Sequence, residues 1–282
     1  KPTVAVSYDS RRTRRQLADL VLGALCKENV EDIPNLVMWY FDEPDAIEHT
    51  YSPTSTQTKD IVEEIDDVLA YFMREVRKSP VYEHINFIFT ADHGMTELDP
   101  NKYYNIEPLI REFGDFYWYN SNPVTLEPYD KDPKAVYDIL KAHEEEGHYR
   151  VWLREEMPAE YHYGTYTDRI YPIVLLPETG WKVVYNEDPE RGRPKPKASS
   201  HGYDPFHPDM QIAFFACGPA FKSGYVHDKV FQNLNDHLII THILGIGHGG
   251  IQRNGREFTA AFDLKSHHVR RTLSSKCLKI NE

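Results

Sequence analysis

Between Pro53 and Pro80 the sequence leaves room for one long amphipathic helix and little else. Thr54 and Gln57 have the spacing of a capping box, and Ile61, Ile65, Val68, Leu69, Phe72 and Val76 then fall on one face. A helix with a single apolar stripe must lay that stripe on a core. Candidates for the core lie on either side. Leu36-Val-Met-Trp-Tyr-Phe41 and Ile85-Asn-Phe-Ile-Phe-Thr-Ala91 are short continuous apolar runs, which predict buried strands. Leu17, Leu20, Val21, Ala24 and Leu25 predict an earlier helix within 11–28. The order helix, strand, helix, strand is the signature of α/β winding, with a largely parallel central sheet flanked by helices.

Further along, Val136, Ile139, Leu140 and Ala142 predict a helix over about 133–145, between aromatic stretches at 116–120 and 149–153 that read as strands. Gln211-Ile-Ala-Phe-Phe-Ala-Cys217 reads as a third core strand, and Leu234, Leu238, Ile239, His242 and Ile243 as a last helix. The Pro-rich basic stretch at 191–197 is a loop, and the tail from Lys265 is polar. With no internal repeat and no clear linker, 1–282 reads as one domain.

Composition narrows the partners. A net charge of -12, from 44 acidic and 32 basic residues, argues against a nucleic-acid backbone or an anionic membrane surface as a general partner. A phosphate-bearing substrate would have to be attracted locally, and bound cations would do that. Cys26, Cys217 and Cys277 are odd in number and widely spaced, so they outline neither a disulfide framework nor a cysteine zinc site. No apolar run approaches the ~20 residues of a membrane span.

The chemistry lies at the strand ends. Asp45 and His49 follow the first predicted strand at D-x-x-x-H spacing, which brings two ligand atoms together on one helical turn. Asp92 and His93 follow the second strand, with Gly94 expected to allow a sharp turn. His201, in Ser-Ser-His-Gly-Tyr, precedes the third. Taken alone, each pair is more often a surface or turn feature. Three Asp/His motifs, each beside a core strand, instead suggest a two-metal centre. Carboxylate oxygen with imidazole nitrogen suits zinc, and also manganese or iron, better than calcium or magnesium. Two such ions about 4 Å apart clamp the oxygens of an in-line phosphoryl displacement, so phosphate ester hydrolysis is the expected reaction class.

Tyr40-Phe-Asp-Glu-Pro-Asp45 with His49, Thr90-Ala-Asp-His-Gly-Met95 and Ser200-His-Gly-Tyr-Asp204 closely resemble the nucleotide pyrophosphatase/phosphodiesterase family of the alkaline phosphatase superfamily. The resemblance implies an alkaline-phosphatase-like fold and two zinc ions. One ion would be held by Asp45, His49 and His201. The other would be held by Asp92 and His93, together with an aspartate and a nucleophilic threonine from an earlier strand and helix start. That earlier segment matches nothing here, so the nucleophile is expected upstream of Lys1 and the catalytic domain is read as N-terminally incomplete. Thr3, Thr13 and Thr54 do not fill the gap. The resemblance also implies that Tyr40 stacks on a nucleobase and that Tyr8 lines the nucleotide groove. Glu48 stands where the family usually has glycine.

The activity implied is release of nucleoside 5′-monophosphates from nucleotide pyrophosphates or phosphodiesters, through a covalent nucleotidyl intermediate on the upstream threonine. The rivals are a choline- or lysophospholipid-type phosphodiesterase of the same family, a phosphomonoesterase or phosphomutase of the superfamily, and a catalytically inactive fragment. The family further implies a secreted, cell-surface or lumenal location.

Overall fold

The computed structural model describes residues 12–163, 169–185, 197–227, 230 and 232–246. Tyr8, the basic loop at 191–196 and the tail from Lys265 lie outside them. The helices are α1 (Arg14–Leu25), α2 (Asp45–Tyr51), α3 (Thr56–Val76), α4 (Glu107–Ile110), α5 (Pro133–Ala142), α6 (Glu144–Gly147) and α7 (Asn235–Leu244). The strands are β1 (Phe87–Phe89), β2 (Thr96–Glu97), β3 (Tyr103–Asn105), β4 (Phe116–Tyr119), β5 (Val124–Pro128), β6 (Tyr149–Leu153), β7 (Ile173–Pro177), β8 (Lys182–Val184), β9 (Ser199–Ser200) and β10 (Phe215–Cys217). They fall into two compact units. One comprises Lys1–Phe41, Asp60–Asp92 and Ala213–Glu282, and the other Asp42–Lys59 and His93–Ile212.

In the first unit, α1 starts at Thr13, whose hydroxyl accepts the Gln16 N–H while the Gln16 side chain accepts the Thr13 N–H. That capping box satisfies two donors a helix start would otherwise leave bare. The predicted stripe of α3 is present, and Val68, Phe72 and Val76 close on Ala18, Leu25 and Phe87. Each such burial contributes about 1.5–3 kcal/mol. The cap of α3 differs from expectation by one residue. Ser55 Oγ accepts the Thr58 N–H, which leaves the Thr54 hydroxyl for another partner.

Two predicted strands are corrected. Residues 36–41 alternate in burial, with Val37, Trp39 and Phe41 on the core and Leu36, Met38 and Tyr40 exposed, but they join no strand ladder among the described residues. Their run is continuously apolar in sequence, yet only alternate residues find a core to meet. Of 211–217, only Phe215–Cys217 forms a strand, paired antiparallel with β1, and Phe215 is 67% exposed.

The second unit is built on an antiparallel sheet in the order β4-β5-β7-β6. Its inner face, with Phe116, Val124, Leu126, Tyr149, Val151, Ile173 and Leu175, packs on Ile106 and Ile110 of the α4 region and on Val136 and Leu140 of α5. The α/β class stands. Among the described residues β3–β8 is the one parallel pair and the other five are antiparallel. Chain length is the reason for the most regular of them. Four residues separate Tyr119 from Val124, whereas a parallel crossover needs a dozen or more.

Candidate metal centre

Asp45 is the first residue of α2, and the helical repeat returns His49 to the same side one turn later. Before the helix, Glu43 accepts the Ile47 N–H at 2.9 Å and so occupies a donor of the first turn. Strand β9 then runs along α2. Ala198 donates its N–H to the His49 carbonyl at 2.8 Å, and Ser199 Oγ donates to the Glu48 carbonyl at 2.6 Å. These bonds bring His201, the residue after β9, to Asp45 and His49, more than 150 positions earlier in the chain.

Histidine tautomers follow from the second ring nitrogen. His49 Nδ1 lies 2.8 Å from the Ser199 carbonyl, and His93 Nδ1 lies 3.0 Å from the Gly94 carbonyl. A carbonyl only accepts, so both Nδ1 atoms donate, which in the neutral ring makes Nε2 the ligating nitrogen. Two glycines permit this packing. Gly202 has φ +82°, and a Cβ there would come within 2.3 Å of the Asn122 carbonyl oxygen. Asn122 Nδ2 in turn donates to the His201 carbonyl at 2.9 Å. A Cβ on Gly94 would meet the Asp209 carbonyl oxygen at 2.0 Å. Gly94 is not among the positive-φ residues, so close backbone approach, rather than the expected sharp turn, explains it.

The centre converges on one atom. Asp45 Oδ1 is buried without a hydrogen-bond partner, and Nε2 of His49, His201 and His93 stand 3.3, 3.5 and 3.9 Å from it. The ligand atoms of Asp45, His49 and His201 all lie within 4.8 Å of one another. An anionic oxygen withdrawn from water with no donor is costly, and a divalent cation held by Asp45, His49 and His201 would remove that cost. One carboxylate with imidazole nitrogens fits zinc, manganese or iron. Burial, and then the neighbouring His93 charge, hold His201 below the usual histidine range, which favours the neutral, ligating form. Glu48 is pushed up, first by burial and then by the Asp45 charge.

Asp92 is exposed and belongs to the first unit, outside the Asp45–His49–His201 group. Tyr40 is also in the first unit and is 68% exposed. Ser199, whose carbonyl and hydroxyl hold His49 and Glu48, carried no metal-ligand signal in the sequence. Only the Ser-Ser pair directly before His201 hinted at it.

The sequence matches the family described as Type I phosphodiesterase / nucleotide pyrophosphatase over residues 3–204. It is 31% identical over 208 residues to Bis(5'-adenosyl)-triphosphatase ENPP4 of Bos taurus, covering 73% of this chain and 44% of that one. Human ectonucleotide pyrophosphatase / phosphodiesterase 5 superposes with a TM-score of 0.73 at 24% identity, covering 86% of this chain and 62% of that one. The murine protein of the same name, in an inactive form in complex with AMP, superposes with a TM-score of 0.71 at 24% identity and the same coverage. These likenesses show the alkaline-phosphatase-like α/β fold. The chain spans about half the length of the curated relatives it matches.

Proposed function

Because the chain belongs to the type I phosphodiesterase / nucleotide pyrophosphatase family, we propose that it is the larger part of a metal-dependent phosphodiesterase. Residues 1–282 belong to one catalytic domain, whose nucleophilic threonine is carried on a segment upstream of Lys1. The observation that carries the metal dependence is Asp45 Oδ1, buried, unpartnered and ringed by imidazole nitrogens.

In this reading Asp45, His49 and His201 hold one zinc ion. Asp92 and His93, with ligands from the upstream segment, hold a second. Bound there, the cations neutralise charge that builds up on phosphoryl oxygens. The protein's own part is orientation. Ser199 keeps His49 Nδ1 protonated and Gly94 does the same for His93, so each ring offers Nε2 alone.

Substrates are nucleotide pyrophosphates or phosphodiesters, cleaved to nucleoside 5′-monophosphates, with Tyr40 and Tyr8 against the base. A relative named for bis(5'-adenosyl) triphosphate and a structural neighbour in complex with AMP support this class. The working location is secreted, cell-surface or lumenal. Release of AMP from ATP by the protein with its upstream segment is the expected result, and release of phosphate alone contradicts it. A nitrophenyl thymidine monophosphate ester should be hydrolysed faster than nitrophenyl phosphorylcholine, and the reverse order would point to a lipid-type substrate.

A further inference from the structure

The geometry points to Glu97 as a positioning residue for His49, acting through Ser52 and Thr54 at the far end of α2. This inference rests on the reading of Asp45, His49 and His201 as a metal site.

Ser52 follows the last turn of α2 with φ 85° and ψ 151°, a region of backbone space that is essentially glycine's own. A serine stays there only if its surroundings hold it. Glu97 Oε1 accepts both the Ser52 hydroxyl, at 2.5 Å, and the Thr54 hydroxyl, at 2.7 Å. Those two donors hold the Glu97 carboxyl below the usual range, Ser52 contributing most. The Ser52 backbone is held as well, because its N–H donates to the Glu48 carbonyl and its carbonyl accepts from Thr58 Oγ1 at 2.7 Å.

Glu97 is itself tied to the metal side. In the β2–β9 pair it lies opposite Ser199, the residue whose carbonyl accepts the His49 Nδ1–H and whose hydroxyl donates to the Glu48 carbonyl. A closed circuit results, running from His49 down α2 to Ser52, across to Glu97, over to Ser199 and back to His49. It fixes α2 at both ends of its last turn. The ring orientation of His49, and hence the aim of its Nε2 toward Asp45 and His201, depends on where that turn sits. Orienting groups beyond the ligands usually matter to metal affinity by about 10–100-fold.

The experiment compares the parent chain with Glu97→Ala, Glu97→Gln and Thr54→Ala, measuring zinc affinity by competition with a chromophoric chelator. The visible spectrum of the cobalt-substituted protein and the thermal unfolding of the metal-free protein are recorded alongside. Glu97→Ala is expected to bind zinc about 10–100-fold more weakly and to alter the cobalt spectrum. Glu97→Gln, which keeps an acceptor oxygen, should restore most of the affinity, and Thr54→Ala, which removes one of the two donors, should fall between. Equal affinities in parent and Glu97→Ala overturn the inference. So does a loss of affinity that Gln does not rescue and that matches a loss of folded metal-free protein. If the parent binds no zinc, the reading of the centre fails and takes this inference with it.

Discussion

The imidazole of His93 lies flat on that of His201, with ring centroids 3.5 Å apart and planes 6° from parallel. Rings in that contact resist carrying two positive charges, and both sit within 4 Å of the unpartnered Asp45 Oδ1. The arrangement gathers imidazole nitrogens around one buried carboxylate oxygen, a donor set that could hold a cation.

Removing the oxygen is expected to abolish the receptor. Asp45→Ala should weaken zinc binding by more than the effect of an orienting residue, on the order of 100-fold or greater. It should leave the fold intact, since α2 is held to the β9 segment through the Glu48 and His49 carbonyls. Calorimetric titration of the metal-free chain measures this, and unchanged affinity would place the metal elsewhere.

Backbone strain at Ser52 has a signature of its own. Ser52→Ala keeps the strained φ and loses the hydroxyl bond to a charged acceptor, which is expected to cost about 1.5–3 kcal/mol. Ser52→Gly loses the same bond but relieves strain on the order of 1–3 kcal/mol. The glycine variant should therefore unfold at higher urea than the alanine variant. The opposite order would mean that the backbone is not strained there.

Gly94 and Gly23 should respond to alanine in opposite directions. At Gly94 the new methyl meets the Asp209 carbonyl, with a loss of about 1–3 kcal/mol or more. At Gly23, inside α1 with nothing within 4 Å, alanine should gain about 0.5–1 kcal/mol. Urea unfolding of both variants decides it, and a Gly94→Ala chain as stable as the parent would contradict the close approach.

Asp236 gives a pH dependence. Burial holds its carboxyl above the usual range, the Thr90 hydrogen bond opposes that only in part, and Oδ1 has no partner. Folding therefore disfavours the charged form, so stability is forfeited above both the folded and unfolded values and intact below both. Asp236→Asn should unfold at a higher temperature than the parent at neutral pH. The gap should close as pH falls through the raised folded value and vanish in acid. A gap that widens in acid has the wrong sign for this account.

The Asp45–His49–His201 group was legible as a cluster because aspartate and histidine stand in recognisable local patterns. Asp45 and His49 sit one helical turn apart, and His201 follows a Ser-Ser pair that forms β9. What braces them was not legible. Glu97 reaches Ser52 across 45 positions, and no local pattern announces a carboxylate that accepts two hydroxyls. The helices α1, α3, α5 and α7 were readable from their apolar spacing. Strand direction was not, because Ile173–Pro177 is apolar on both faces and looks the same in a parallel or an antiparallel neighbourhood. Residues 36–41 read as a buried strand because a continuous apolar run does not reveal that one face lacks a neighbour.

The most direct test is zinc analysis of the 282-residue chain after loading and exhaustive dialysis, combined with X-ray absorption at the zinc edge. The account predicts one firmly held zinc ion per chain, a second held weakly, and first-shell nitrogen and oxygen at about 2.0–2.1 Å. The firmly held ion should be missing from Asp45→Ala. A parent chain that retains no zinc, or one whose zinc shows sulfur at about 2.3 Å, would contradict it.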